Sequence, residues 1–359
     1  MRVLIATDAW HPQVNGVVET LSHLGNELRR LGVEVAFLTP EPFRQIGCPG
    51  YPEIRLALMR SRAVAQWIEA ARPDWVHIAT EGPVGWAVRR WCLAHGRPFT
   101  TSYHTKFPEY AAKLLGLPTS WVYALERRFH RASAGILVAT PSLESELRGR
   151  GFRRLMRWTR GVDTELFKPR ADRLFGDGPV FLYVGRISRE KNITAFLDAD
   201  LPGCKVVVGT GPHLATLRRQ YPDVVFTGLK RGEELARHYA SADVFVFPSR
   251  TETFGLVLLE ALASGVPVAA YPATGPRDII EHGVSGILDD DLASAARQAL
   301  ALGSRQARLK ASSFSWARSA HQFLDNIRVA EAAWRDAKSC LERAARNQTR
   351  PTRSEGQAT

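Results

Sequence analysis

Cysteine is scarce in this chain of 359 residues, with only Cys48, Cys92, Cys204 and Cys340. They lie far apart, without a C-x-x-C pair or a histidine cluster at ligand spacing, so neither a zinc site nor a disulfide framework is signalled. A reducing compartment is expected. The opening MRVLIATDAWHP is not expected to act as a secretory leader, because Asp8 interrupts its apolar run and no small-residue cleavage site follows. Long hydrophobic runs are missing too. Phe254–Pro276 holds a single charge, Glu260, but Gly255, Gly265, Pro267 and Pro272 divide it into a helix and a strand of a buried core. No solenoid-type repeat is present. The expectation is a cytoplasmic protein, free or peripheral on the inner face of the membrane, and not an integral one.

Cations outnumber acids, 48 to 36, for a net charge of +12. Residues 1–165 hold 22 Lys and Arg against 15 Asp and Glu. A basic cluster there comprises Arg127, Arg128, Arg131, Arg148, Arg150, Arg153, Arg154, Arg157 and Arg160. Such a patch attracts phosphates, whether of a nucleotide, a nucleic acid or an anionic lipid, or it is simply a solvated arginine-rich surface. No nucleic-acid-binding motif accompanies it, so no such partner is expected.

Short runs of β-branched and aromatic residues alternate with helical stretches, twice over. The first set of strands is Arg2–Thr7, Val33–Thr39, Trp75–Thr80, Phe99–Tyr103 and Gly135–Thr140, with helices at Val18–Leu31, Arg62–Ala71, Gly85–His95 and Trp121–Ala132 between them. The rhythm restarts with strands at Val180–Val184, Lys205–Val208, Val224–Thr227, Val244–Phe247 and Val268–Tyr271. This predicts an α/β protein of two Rossmann-like, doubly wound domains, over 1–165 and 166–315, facing a central cleft. A helix over 316–345 and a disordered polar tail over 346–359 are expected to follow.

The segment Ser241–Ala270 carries the most chemistry. Its strand ends at Pro248, and the following loop sets Glu252 at the cleft mouth. A helix then starts near Gly255, whose free amides and positive end suit a phosphate. Glu260, eight residues after Glu252, sits among leucines, and a buried carboxylate is costly unless paired, so a partner such as ribose hydroxyls is expected. In YVGRISREKN, Arg186 and Lys191 leave a strand end and a helix start, so two cations converge where a diphosphate could be clamped. Asn15-Gly16 marks a turn before a helix at Val17 or Val18, and His104 ends the strand Phe99–Tyr103. The stretch GTGP, Gly209–Pro212, lacks the third glycine of a dinucleotide fingerprint.

The pattern E-x(7)-E after an apolar strand, with F-G beside the first Glu and A-x-G-x-P-V after the second, resembles the signature of retaining glycosyltransferase family 4, of GT-B fold. The likeness runs to about Gln322. It implies that Glu252 contacts the donor sugar, Glu260 the ribose, and the backbone of Thr253, Phe254 and Gly255 the diphosphate. Arg186 and Lys191 would stabilise the leaving group. Gly16 would cover sugar and phosphate, Gly211 would border the nucleotide, and His104 would touch the sugar near the reacting carbon.

Asp198-Ala199-Asp200 spells D-x-D but sits at a helix end, so no essential metal or other cofactor is expected. The stretch TDAWHPQVNGVV…YPEIRLAL…TEGPVG…TTSYHTKFPEY resembles a bacterial branch of lipid glycosyltransferases and GDP-mannose-dependent α-mannosyltransferases. The implied donor is UDP-glucose, UDP-glucuronate or GDP-mannose. A diacylglycerol-type acceptor is favoured, with Trp10, Trp67, Trp86, Trp91 and Trp121 either joining the basic cluster at an anionic membrane surface or serving as core residues. The alternatives are a mannosyltransferase acting on another glycan or glycolipid, a nucleotide-sugar 2-epimerase, and a non-catalytic nucleotide-sugar-binding protein.

Overall fold

A computed structural model describes residues 1–48, 51–106, 108, 118–171 and 173–348. Of the disordered tail expected over 346–359, residues 346–348 instead continue the last helix, and the rest lies outside the described residues. The first half comprises β1 (Arg2–Ala6), α1 (Gly16–Arg30), β2 (Glu34–Leu38), β3 (Arg44–Cys48), β4 (Tyr51–Leu58), α2 (Ser61–Ala71), β5 (Trp75–Ile78), α3 (Pro83–Ala94), β6 (Phe99–Tyr103), α4 (Thr119–His130), β7 (Gly135–Val138), α5 (Pro141–Gly149) and β8 (Leu155–Arg157). Its six-stranded parallel sheet has the order β2-β1-β5-β6-β7-β8, and β3 and β4 form a separate antiparallel hairpin.

The second half repeats the plan with β9 (Val180–Val184), α6 (Thr194–Leu197), β10 (Cys204–Val208), α7 (Leu214–Gln220), β11 (Val225–Gly228), α8 (Gly232–Ala240), β12 (Val244–Phe247), α9 (Leu256–Ala263), β13 (Val268–Ala270), α10 (Pro276–Ile279), β14 (Gly286–Leu288), α11 (Leu292–Ala299) and α12 (Ser304–Ser312). The order is β11-β10-β9-β12-β13-β14, again all parallel. Central strands such as VFLYV and VFVF are buried along their whole length, which explains their unbroken apolar runs.

The last helix, α13 (Trp316–Gln348), returns to the first sheet. Phe323, Ile327 and Ala330 share a core cluster with Val3, Ile5, Leu21 and Trp158. Its polar side chains also fasten it down. Gln322 Oε1 accepts from Thr159 N at 2.8 Å, and Asn326 Nδ2 donates to the Arg157 carbonyl at 2.7 Å. The chain therefore crosses between the sheets twice, once after Gly161 and once before Trp316. The two crossings touch, since any Cβ on Gly161 would collide with the Trp316 backbone.

Two expectations about the arginines and tryptophans change. Arg160 leaves the surface cluster: it is buried, because the chain turns inward between Trp158 and Val162 to reach the second half. Arg148 and Arg157 both pair with Glu144, and Arg150 with Glu146, which neutralises part of the remainder. Trp10, Trp67, Trp86 and Trp91 pack against the first core, whereas Trp121 is 70% exposed.

Phe323 is fully buried, its ring 5.0 Å from His77 and 5.3 Å from Trp158. Phe323→Ala should therefore lower stability by about 3–5 kcal/mol in urea unfolding. An unchanged midpoint would mean that α13 does not complete the first core.

Candidate active site

Both sheets reverse their strand order at a pair of neighbours, β1/β5 in the first and β9/β12 in the second. At such a reversal successive helices leave to opposite faces, so the loops after the two strands part and leave a crevice. In the second sheet those loops carry Arg186, Lys191 and Glu252. A 3-10 turn, Arg189–Lys191, follows β9 and closes on Asn192, whose backbone is left-handed (φ 53°). The Asn192 amide donates to the Pro248 carbonyl at 3.1 Å, tying this turn to the end of β12. Lys191 Nζ and Glu252 Oε2 thereby meet at 2.6 Å, both side chains about one-fifth exposed (23% and 21%). The cation that the sequence directed at a diphosphate is thus engaged by the neighbouring carboxylate. Arg186 is half-buried earlier in the same loop, just after β9, and its carbonyl accepts the Tyr183 hydroxyl at 2.8 Å. Gly211 packs flat on Ile187, close enough that any side chain would strike the Ile187 backbone. The loops after β9 and β10 are further joined by Ile187 N donating to Thr210 O at 2.9 Å.

Helix α9 opens at Gly255 with φ 92°, a conformation that glycine adopts without strain. Across the cleft, α1 begins at Gly16, a residue or two before the expected start, because the Asn15 side chain caps it by accepting from Val17 N and Val18 N. A Cβ on Gly16 would lie 3.7 Å from Leu256 Cδ1, so the first turns of α1 and α9 face each other. Beside them Thr253 Oγ1 donates to the His104 carbonyl at 2.6 Å. The His104 ring lies deep, with its Nδ1 3.3 Å from Arg160 Nη2. Burial, then the charge of Arg160, hold this ring well below the usual histidine range, so it is neutral.

Glu260 lies one turn into α9, half-buried but ringed by protein. Its partner within the chain is Tyr239, whose hydroxyl donates to Oε2 at 2.8 Å. Burial pushes the carboxyl up to about 7 from 4.5; the Tyr239 hydrogen bond opposes this and the charge of Glu19 adds to it. The first sheet has a matching buried acid at the end of β1. Asp8 accepts from Val84 N at 2.8 Å, Gly85 N at 3.2 Å and the Thr80 hydroxyl at 2.9 Å, so it caps α3, while burial raises it to about 6.

Tyr239 lies outside every motif, Arg160 counts only in the basic cluster, and Asp8 stands in TDAWHPQVNGVV without a site role. Lys106 is likewise new: it is buried, pairs with Glu146 at 2.6 Å and donates to Thr274 Oγ1 at 3.2 Å in the other half. Ser142 also bridges the halves, its amide and hydroxyl both donating to Asp278 Oδ1. A cavity of about 250 Å³ lies along this seam, lined by Thr140, Arg157, Thr159, Phe254, Asp278 and Gln322 among others. Of the expected site residues only Phe254 borders it. Asp198 of the D-x-D triplet accepts the Tyr221 hydroxyl at the end of α6.

Residues 14–166 match the family model described as Glycosyltransferase Family 4, and residues 178–304 the model Glycosyl transferases group 1. A GDP-mannose-dependent alpha-mannosyltransferase of Mycobacterium tuberculosis is 33% identical over 316 residues, covering 80% of this chain and 83% of that protein. The chain belongs to glycosyltransferase family 4. As a family 4 member it is a hexosyltransferase that draws on a nucleotide sugar. An alpha-monoglucosyldiacylglycerol synthase of Streptococcus pneumoniae is 30% identical, over 84% of this chain and 78% of that one. The fold is shared with a sucrose-phosphate synthase from Thermosynechococcus elongatus, at a TM-score of 0.76, 23% identity and coverage of 92% and 99%.

Two outcomes follow from this geometry. Lys191→Met and Glu252→Gln should each lower kcat/KM for the nucleotide sugar by on the order of a hundredfold or more in steady-state assays. Glu260 keeps its proton in the folded state above the unfolded value of 4.5, so its contribution to stability falls as pH rises from about 4.5 to about 7 and is level thereafter. Glu260→Gln should cancel that fall, raising stability relative to the parent by up to about 3 kcal/mol more at pH 8 than at pH 4.5 in urea unfolding. A difference independent of pH would show that the carboxyl is not held protonated.

Proposed function

We propose that the enzyme transfers a hexose, with retention at the anomeric carbon, from a UDP-sugar or GDP-mannose to a lipid acceptor of diacylglycerol type at an anionic membrane surface. The observation that carries the acceptor is the outward face of α4. Trp121, Ala124, Leu125 and Arg128 fall at i, i+3, i+4 and i+7 and are all exposed, with Trp121 at 70% and Leu125 at 52%. The opposite face, Val122, Tyr123, Phe129 and His130, is buried. The acid of this helix, Glu126, is turned inward to accept the Tyr103 hydroxyl and does not offset its cations. Arg127, Arg128 and Arg131 end the helix, and the Arg150 guanidinium lies 4.0 Å above the Tyr123 ring. An apolar ridge flanked by arginines suits a bilayer containing anionic headgroups. The relative whose name specifies glucosyldiacylglycerol synthesis favours the same class of acceptor.

In the proposed reaction the bond from the anomeric carbon to the diphosphate oxygen breaks, and its electron pair leaves with the nucleoside diphosphate. Arg186, Lys191 and the amides at the start of α9 meet that growing charge, so this reading needs no metal. Glu252 and His104 orient the sugar, and Glu260 accepts from the ribose hydroxyls. The acceptor hydroxyl attacks from the face the diphosphate leaves, and its proton passes to the departing phosphate oxygen.

Incubating the protein with anionic vesicles containing diacylglycerol and a panel of radiolabelled UDP- and GDP-sugars should yield labelled lipid, undiminished by EDTA. GDP-mannose as the sole productive donor, with label in a non-lipid glycan, would instead support the mannosyltransferase reading that the mycobacterial relative favours. Trp121→Ser with Leu125→Ser should weaken binding to phosphatidylglycerol vesicles by on the order of tenfold or more in sedimentation assays. Undiminished binding would remove α4 from the membrane.

A further inference from the structure

The arginine behind His104 has an unusual environment. Arg160 is buried, and among the described residues no carboxylate lies within ion-pair distance of it. Burial alone pulls its guanidinium down to about 9. Its hydrogen bonds go to main-chain carbonyls, Nη1 donating to Trp158 O at 2.7 Å and to Thr159 O at 3.2 Å. The guanidinium also sits 4.1 Å above the Trp158 ring. A buried cation satisfied only by dipoles and a ring face is expensive to keep. What it gains in place of a counter-ion is the contact of Nη2 with His104 Nδ1 at 3.3 Å.

We infer that Arg160 is a positioning residue that fixes the tautomer of His104. A guanidinium only donates, so the imidazole nitrogen facing it must offer its lone pair. The single proton of the neutral ring therefore resides on Nε2. That atom is buried and, among the described residues, has no hydrogen-bond partner. The two facts fit together: one nitrogen is locked as an acceptor, and the other becomes an N–H donor awaiting an oxygen. Trp158 sets the ring from the side, its own ring edge-on to the imidazole at 5.8 Å. The His104 carbonyl is meanwhile occupied by Thr253, so both ends of the residue are pinned and only Nε2–H is left to a ligand. The acceptor that this donor suits is a hydroxyl oxygen of the donor sugar. That last step rests on the proposed placing of the sugar beside His104; the tautomer itself does not.

The tautomer can be observed without any substrate. In protein labelled with 15N at histidine, two-bond proton–nitrogen correlation spectra distinguish the two neutral tautomers, and His104→Gln identifies the signal among ten histidines. The expected pattern for His104 is the Nε2–H form. An Nδ1–H ring, or a doubly protonated one, overturns the inference whatever the variants do. In Arg160→Met the His104 signal should shift towards a mixture of tautomers, and Arg160→Lys, which keeps a donor, should restore it. A double-mutant cycle supplies the functional arm. Arg160→Met should lower kcat/KM by on the order of tenfold in the parent, and much less when His104 is already alanine. Fully additive losses would mean that Arg160 acts on folding and not through His104. If the tautomer is as expected but His104→Ala leaves donor kinetics unchanged, the placing of the sugar fails while the role of Arg160 in setting the ring stands.

Discussion

A lysine and a glutamate held 2.6 Å apart, on loops from adjacent parallel strands, are the contact around which the second half is organised. They meet because β9 and β12 are neighbours at the point where the strand order turns back. An order that separated β9 from β12 would hold Lys191 and Glu252 apart. The pairing holds both side chains in place before a ligand arrives. In the proposed reaction an entering phosphate would meet a cation already oriented and need only compete for it, leaving little reorganisation.

The same economy appears in the first half with opposite chemistry. Its reversal point is held by Asp8, which satisfies amides at the start of α3, and the cleft wall beside it includes the α1 cap and the neutral ring of His104, whose carbonyl accepts the Thr253 hydroxyl from the facing half. Charge is concentrated on the side where diphosphate would lie. The other wall presents the α1 cap and the neutral His104 ring, with the buried Arg160 guanidinium behind that ring. Glu260 stands between these regimes, its carboxyl pushed up to about 7 because protein surrounds it and Tyr239 supplies one hydrogen bond where water would supply several.

Much of this was legible in the sequence because the elements are locally determined. Fully buried parallel strands show as short unbroken apolar runs, and the motif loops follow them directly. Helix starts were displaced where capping decides them: Asn15 draws α1 back to Gly16, and Pro83, fit for a first turn, begins α3 earlier than its apolar pattern does. The β3–β4 hairpin went unseen as an element, and so did the three-residue β8, which is too short to show a period. Partners distant in sequence could not be read at all. Tyr239 reaches Glu260 only because α8 packs beside α9, and Arg160 looked like one more surface arginine because carbonyls and an imidazole leave no mark in the charge pattern.

The two stretches of chain that join the halves run in contact, Gly161 against Trp316. A single tether would let one half swivel freely on the other. A doubled one behaves as a strap, which folds in one plane and resists torsion. Opening along that plane strains the Thr253–His104, Lys106–Thr274 and Ser142–Asp278 bonds as a set, since all three span the same seam. Any separation of the wall carrying His104 from the wall carrying Glu252 has to break these three bonds while the doubled tether still ties the halves together.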